Sequence, residues 1–467
     1  MADLRSLFHL AAEEAADFRE SLDTRPVQAP ADQADAKRLL AVPLPDGPRD
    51  PGEVVEQLIT AARPGLMATP GPRYFGFVIG GALPAASAAD ILAVGWDQCA
   101  FNGHLAPAAA AAEEVAGAWL KDLLGLPASA GVGFVTGAQG ANTVGLAAAR
   151  HHLMRESGWD VERRGLFGAP RIRVLAGAER HATIDRSLRL LGLGSDALQE
   201  VAVNAQGAID TDDLARVLAT EGDDHDVLTV LCLQAGNVNT GAVDDLRTAI
   251  TLAHEHGAWV HVDGAFGLWA AASPSLRHLV DGVELADSWG CDGHKWLNVP
   301  YDSGFAFCSR PDVQTAAMSY TASYLTGSGV APGVADYTAE SSRRARGFAV
   351  WAAVQELGRQ GIADLVDRCC EHARRFADAL AGAGLEVVND VVLNQVLVGF
   401  GGEGAEADRR TDAVIARIQR DGTCWMGGTT WHGRRLMRIA VSNHLTTAAD
   451  IDVSVEAVLR AVRSLDG

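Results

Sequence analysis

The chain has 467 residues, 48% of them hydrophobic, and a formal net charge of −20. That length supports more than one core, and that composition belongs to a globular rather than a disordered protein. The acidic balance argues against a nucleic-acid partner, because phosphate backbones attract basic surfaces; Arg163-Arg164 and Arg343-Arg344 are too short to reverse it.

Residues 3–20 carry a helical period of Leu4, Leu7, Phe8, Ala11, Ala15 and Phe18. Glu13, Glu14 and Asp17 leave no signal-peptide apolar core there. Residues 24–52, rich in Pro, Asp and Ala, read as a linker, and Val54–Ala62 as another short helix. This segment, 1–80, is too small for a core of its own and is expected to pack on a partner subunit. From about 84 to 310, apolar runs suited to buried strands recur at 132–136, 171–176, 228–234, 258–262 and 304–308. Helical patterns lie between them at 141–155, 181–192, 211–219 and 244–256, with Asp210 and Asp244 as N-cap candidates. Short apolar strands alternating with helices predict a mostly parallel sheet covered on both faces. A large domain over 81–365 follows. Long helices over 343–382 lead into a small α+β domain, 366–467, with strands near 385–389, 394–400 and 434–442 and helices near 406–420 and 447–464. No run approaches about 20 apolar residues, so no membrane span is expected. The seven cysteines show no paired spacing and read as reduced thiols, no CxxC pair suggests a metal site, and a cytoplasmic location is the expectation.

The most informative stretch is Asp287–Trp296, which sets Lys295 directly after His294 and just beyond a short apolar strand. Upstream, HVDGAFG ends a strand on Asp263. Lysines ordinarily lie on the surface, and an aspartate there could simply cap a turn. Together, an acid at one strand end and a lysine at the next suit pyridoxal phosphate (PLP) chemistry: the amine joins the cofactor aldehyde, and the acid keeps the ring nitrogen protonated. Gly264 and Ala265 are small enough for a flat ring to lie against them. The turn Thr136–Asn142 joins a strand to a helix, and its Ala138 and Gln139 N–H groups could hold a phosphate. Alone that signal is weak, since many such turns carry glycine; its place ahead of the acid and the lysine gives it weight. His181 begins a helical stretch, as a cap or core residue or as a ring-stacking group and acid near Cα. His151-His152 and His254-Glu255-His256 read as helix residues without zinc spacing.

These residues resemble the group II PLP-dependent amino-acid decarboxylases, which include aromatic-amino-acid, histidine and glutamate decarboxylases. The likeness runs from about Pro70 to the C-terminus and rests on FVTGAQGAN, the His181 segment, GNVNTGAVDDL, HVDGAFG and GHKWLNVPYDSG. It implies fold type I of the PLP enzymes, with a mostly parallel seven-stranded sheet, and a homodimer with shared active sites. It implies that Lys295 is the Schiff-base lysine, Asp263 the partner of the pyridine nitrogen and His181 the stacking histidine. Ala138, Gln139 and His294 match phosphate positions, Ala265 the small residue under the ring, and Asn237 a position near the 3-hydroxyl. Tyr337, rather than Tyr320 or Tyr324, matches a mobile-loop tyrosine that protonates the carbanion, often in the partner subunit's site. Ala138 and Gln139 stand where the family usually carries Ser or Thr, which shifts phosphate binding toward backbone and Thr136. The stretch Tyr74–Gly81 matches a substrate floor, with Phe77, Val78 and Trp96 as candidate substrate contacts, but its glycines prevent copying substrate choice from any one member. The implied reaction is decarboxylation of an L-amino acid to its amine and carbon dioxide. An aldehyde synthase, a carbon–carbon lyase or a transaminase would use the same lysine and acid. A non-catalytic protein of this fold would have little reason to keep Lys295, Asp263 and His181 together, and a nucleotide-binding protein would need a GxGxxG or GKS/T spacing that the turn lacks.

Overall fold

The computed structural model describes residues 3–220, 227–320 and 332–466. The chain divides into two compact units. One takes the chain through Gly81 with Arg374–Val388 and the chain from Val396 onward; the other takes Ala82–Ala373 and Asn389–Gln395. The N-terminal helices thus fall in the same unit as the C-terminal α+β segment.

In the larger unit, β1 (Gly131–Val135), β2 (Ile172–Gly177), β3 (Leu198–Val201), β4 (Leu228–Gln234), β5 (Trp259–Asp263), β6 (Ser288–Asp292) and β7 (Gly304–Cys308) form one sheet in the order β1-β7-β6-β5-β4-β2-β3. Neighbours from β3 through β6 pair in parallel, and β7 runs antiparallel to both β6 and β1. The expected mostly parallel sheet is therefore present. Strands β5, β6 and β7 are buried along their whole length, as a sheet covered on both faces requires. Between sheet and helices, Leu146, Leu153, Ile172, Val174, Ile184, Leu188, Val230 and Trp259 pack in one apolar cluster. Each fully buried aliphatic side chain there stabilises the fold by roughly 1.5–3 kcal/mol.

The strand directions bring the carboxyl ends of β1, β4, β5 and β6 to one edge. The helix Ala138–Glu156 begins there, with two residues between it and the end of β1. Asp210 caps the helix Thr211–Ala219 as expected, accepting from the N–H groups of Asp212 and Asp213. The expected Asp244 cap is one residue off. Asp245 caps Leu246–Glu255, whereas Asp244 is buried and accepts from Ile209 N and Gln234 N, tying β4 to the preceding loop.

In the other unit, the stretch expected as a linker contains a helix, Gln33–Leu40, because Asp32 and Asp35 close a capping box at its start. Strands β8 (Glu386–Val387), β9 (Gln395–Gly399), β10 (Gly427–Trp431) and β11 (Arg434–Ala440) make a second sheet in the order β10-β11-β9-β8.

Candidate active site

A cavity of about 240 Å³ opens at the carboxyl edge of the large sheet, lined by residues that include Ala138, Gln139, His181, Asp263, Ala265, His294 and Lys295. Chain order scatters these seven over more than 150 positions; strand direction gathers them.

Asp263 closes β5 and is buried. Its Oδ2 accepts from Asn142 Nδ2 at 3.0 Å and lies 3.5 Å from the Thr183 hydroxyl; its Oδ1 accepts from Ala265 N at 3.2 Å. A carboxylate with donors on both oxygens is held in orientation while one face stays open to the cavity. Asn142, from the helix behind the sheet, is fully buried. Its Oδ1 meets His261 Nε2 at 3.0 Å, and His261 Nδ1 meets Ser288 Oγ at 2.9 Å.

Lys295 follows β6 in a turn. Its Nζ lies 3.2 Å from Asp292 Oδ2 and 5.8 Å from the centre of the Phe266 ring. The other Asp292 oxygen accepts from Ala138 N at 2.6 Å, so a carboxylate already rests on the start of the helix Ala138–Glu156. His294 stacks on Tyr301, with ring centres 4.2 Å apart, and its Nδ1 accepts from Ser303 N at 3.1 Å. Burial lowers the His294 pKa against the pull of Asp292. The turn before the helix is tight: a Cβ on Gly137 would lie 2.9 Å from His294 Cε1. His181 caps the helix Ala182–Leu190, its Nδ1 accepting from Thr183 N at 3.3 Å. In the neutral ring the proton then sits on Nε2. The capping and cavity readings of His181 are compatible.

Other candidates lie elsewhere. Thr136 is exposed and does not line the cavity. Asn237 is buried outside the lining, where its Oδ1 accepts from the N–H groups of Asn239 and Thr240 and its Nδ2 donates to Glu179. The Gln139 side chain turns to Ser187 and Thr183, which leaves its backbone N–H for the cavity. Tyr337 sits at the opposite end of β1, where a Cβ on Gly131 would come 3.0 Å from its ring, and it is outside the lining. Tyr320 accepts from the Ser341 hydroxyl, and Tyr324 lies outside the described residues. Trp96 is half-exposed, edge-on to Phe348. Phe77 and Val78 belong to the other unit, where both take left-handed backbone (φ 54° and 56°) and Phe77 lies 5.6 Å from the Trp425 ring. A β-branched residue there is strained. Sequence reasoning missed Asp292, Asn142, Thr183 and His261. Two had a readable signal: Asp292 is three residues before Lys295, and His261 is two before Asp263, hence on the same face of β5.

The residues present fit pyridoxal phosphate. An amine, a fixed carboxylate, a small residue at 265 and a helix start line one cavity, and the glycine turn leaves room beside His294. Such a set on a largely parallel sheet defines a PLP-dependent enzyme of fold type I. Comparison with known proteins agrees: the chain matches the family described as "Pyridoxal-dependent decarboxylase conserved domain" over residues 34–400. It is 28% identical to tryptophan decarboxylase 1 of Oryza sativa subsp. japonica, covering 95% of this chain and 90% of that one. It is 25% identical to a phenylacetaldehyde synthase of a Rosa hybrid cultivar, covering 80% and 75%. A crystal structure of Oryza sativa TDC with PLP and tryptamine superposes with a TM-score of 0.91 at 26% identity, covering 100% of this chain and 98% of that one. The chain belongs to the pyridoxal-dependent decarboxylase family and is a PLP-dependent amino-acid decarboxylase.

Proposed function

We propose that the cavity decarboxylates an L-amino acid with an aromatic side chain, with Lys295 as the amine that holds the cofactor and Asp263 as the acid at its ring nitrogen. The carrying observation is the lining itself. Val238, Ala265 and Phe266 offer apolar surface, and among the described residues no arginine lines the cavity to meet a distal carboxylate. The Asp292 carboxylate adds repulsion toward an acidic side chain. The tryptophan decarboxylase relative supports the same choice.

When bound, pyridoxal phosphate supplies an aldehyde for the amine and a protonated ring that draws the electron pair left by the departing carboxylate. Asp263, fixed by Asn142 and the Ala265 N–H, keeps the proton on the ring nitrogen. The Ala138 and Gln139 N–H groups would hold the phosphate, with the Ala138 N–H released from Asp292. Ala265, small, would leave space for the ring and His181 would cover it, both lining the same cavity. His181 Nε2 carries the proton for Cα. A homodimer is part of the same reading: the helix Leu4–Glu20 buries no residue within the chain, and Leu4 and Phe8 stay exposed, an apolar face suited to a second copy. So is a cytoplasmic location, which the free thiols of all seven cysteines support.

The test is product analysis by mass spectrometry after incubating the PLP-loaded protein with tryptophan, tyrosine, phenylalanine, glutamate and 2,4-diaminobutyrate. Tryptamine, tyramine or phenethylamine with matching carbon dioxide is the expected outcome. Turnover of glutamate or diaminobutyrate alone would overturn the side-chain class. A second reading, release of an aldehyde, draws on the phenylacetaldehyde synthase relative; an aldehyde product would establish it. Light scattering would show the dimer, and a monomeric mass would remove that part of the reading.

A further inference from the structure

Behind Asp263 runs a chain of buried polar groups that no cavity contact explains. Trp259 Nε1 donates to Ser288 Oγ at 3.0 Å; Ser288 Oγ meets His261 Nδ1 at 2.9 Å; His261 Nε2 meets Asn142 Oδ1 at 3.0 Å; Asn142 Nδ2 meets Asp263 Oδ2 at 3.0 Å. Ser288, His261 and Asn142 are fully buried. Only one polarity satisfies every member. A carboxylate only accepts, so Asn142 turns its amide N–H to Asp263 and its oxygen to His261. His261 must then donate from Nε2, and its Nδ1 must accept. The serine, already accepting from Trp259, gives its own proton to Nδ1. Burial keeps the imidazole neutral, its pKa lowered to about 4, which is the form this polarity needs.

The backbone makes room for the chain. The parallel register of β5 and β6 sets His261 beside Ser288 and Asp263 beside Gly290. A Cβ on Gly290 would come 2.6 Å from Asn142 Oδ1, and one on Gly145 would come 2.5 Å from His261 Nδ1. A glycine inside a helix costs roughly 1 kcal/mol against alanine. Gly145, mid-helix in Ala138–Glu156, has its reason in the imidazole it faces.

We infer that His261 is a positioning residue for the cofactor: with Ser288 and Trp259 behind it, it pairs the Asn142 oxygen, keeps the Asn142 amide donating to Asp263 and so holds that carboxylate aimed at the ring nitrogen. Without the His261 donor, the buried Asn142 oxygen loses its partner and the amide is held only by its donations to Asp263 and, at 3.1 Å, to the Thr183 hydroxyl, so its seat against the carboxylate loosens. The inference rests on the reading of Asp263 given above.

The experiment uses the full-length PLP-loaded protein with His261→Leu, His261→Gln, Ser288→Ala and Asp263→Ala. The readouts are the visible absorption of the bound cofactor, its release on dialysis, and kcat and KM. Glutamine can donate to Asn142 and accept from Ser288, so it restores the polarity that leucine removes. His261→Leu is expected to shift the cofactor absorption and to lower kcat about 10- to 100-fold with little change in KM, the scale of a lost supporting hydrogen bond. His261→Gln is expected to recover most of both, and Ser288→Ala to show a smaller change in the same direction. If His261→Leu does not fold, the Ser288→Ala absorption decides: an unchanged spectrum overturns the inference. Equal losses in the leucine and glutamine variants, or a native absorption in the leucine variant, overturn it too. Should Asp263→Ala itself leave absorption and turnover unchanged, the assignment of Asp263 fails, a result distinct from failure of the relay alone.

Discussion

The two acids of the cavity are held in opposite ways. Asp263 receives its hydrogen bonds from an asparagine and a backbone N–H, with a threonine hydroxyl nearby, groups that cannot change charge. Asp292 meets an ammonium, a histidine and the start of a helix, and on the proposed reading each of those contacts is one that cofactor binding would disturb. An acid whose task is constant is fixed by neutral dipoles. An acid that must yield is held by charges that another anion can replace.

Four changes probe that contrast, in order of expected effect. Lys295→Ala removes the amine, and turnover should fall at least about 10³-fold; the purified protein should lose the colour of covalently held cofactor, and retained turnover would remove Lys295 from its role. Asp263→Ala should cost on the order of 10²–10³ in kcat, as loss of a preorganised charge partner does. Steady-state kinetics with excess cofactor measure it, and a loss confined to cofactor affinity would show that the acid binds without activating.

The third is a stability measurement. His261 ordinarily titrates at 6.5, and burial lowers it to about 4, outweighing the pull of Asp263. Between those values the unfolded chain takes up a proton that the folded chain refuses. The contribution is therefore present above 6.5 and is lost as pH falls toward 4. The parent should lose up to about 3 kcal/mol relative to His261→Gln across that window. Denaturant unfolding of both proteins at several pH values would reveal it, and parallel curves would contradict a neutral buried imidazole. The smallest effect belongs to Asp292→Asn. Removing a negative charge from the helix start where the phosphate belongs should tighten cofactor binding about tenfold. Weaker binding in a fluorescence titration would mean that Asp292 helps to hold the cofactor.

How much of this was legible depends on where the information lies. Runs such as LTVLCLQ and GFAFC read as strands because both of their faces are buried. Strand β3, LQEV, did not, since two of its four residues are exposed, and β10, GGTTW, offers no apolar run. The helix Gln33–Leu40 hid in a stretch whose composition reads as a linker, although its acidic capping pair was there to find. Lys295, Asp263, His294 and the glycine turn were readable because each stands at or just past a strand end. Asn142, Thr183 and Ser288 were not, because their partners lie on other elements and only register and helix packing bring them together. The packing of the Tyr337 ring beside Gly131 was not legible either, since nearness in sequence to the SRRARG segment does not say which strand end it meets.

The glycines at 145 and 290 bear on attempts to re-engineer the enzyme. Neither lines the cavity, so a search confined to substrate-facing positions would pass over both. Yet any side chain at either position would press on His261 or Asn142. Libraries meant to broaden substrate range should keep these two codons constant, and a deep mutational scan should find them among the least tolerant sites away from the cavity wall.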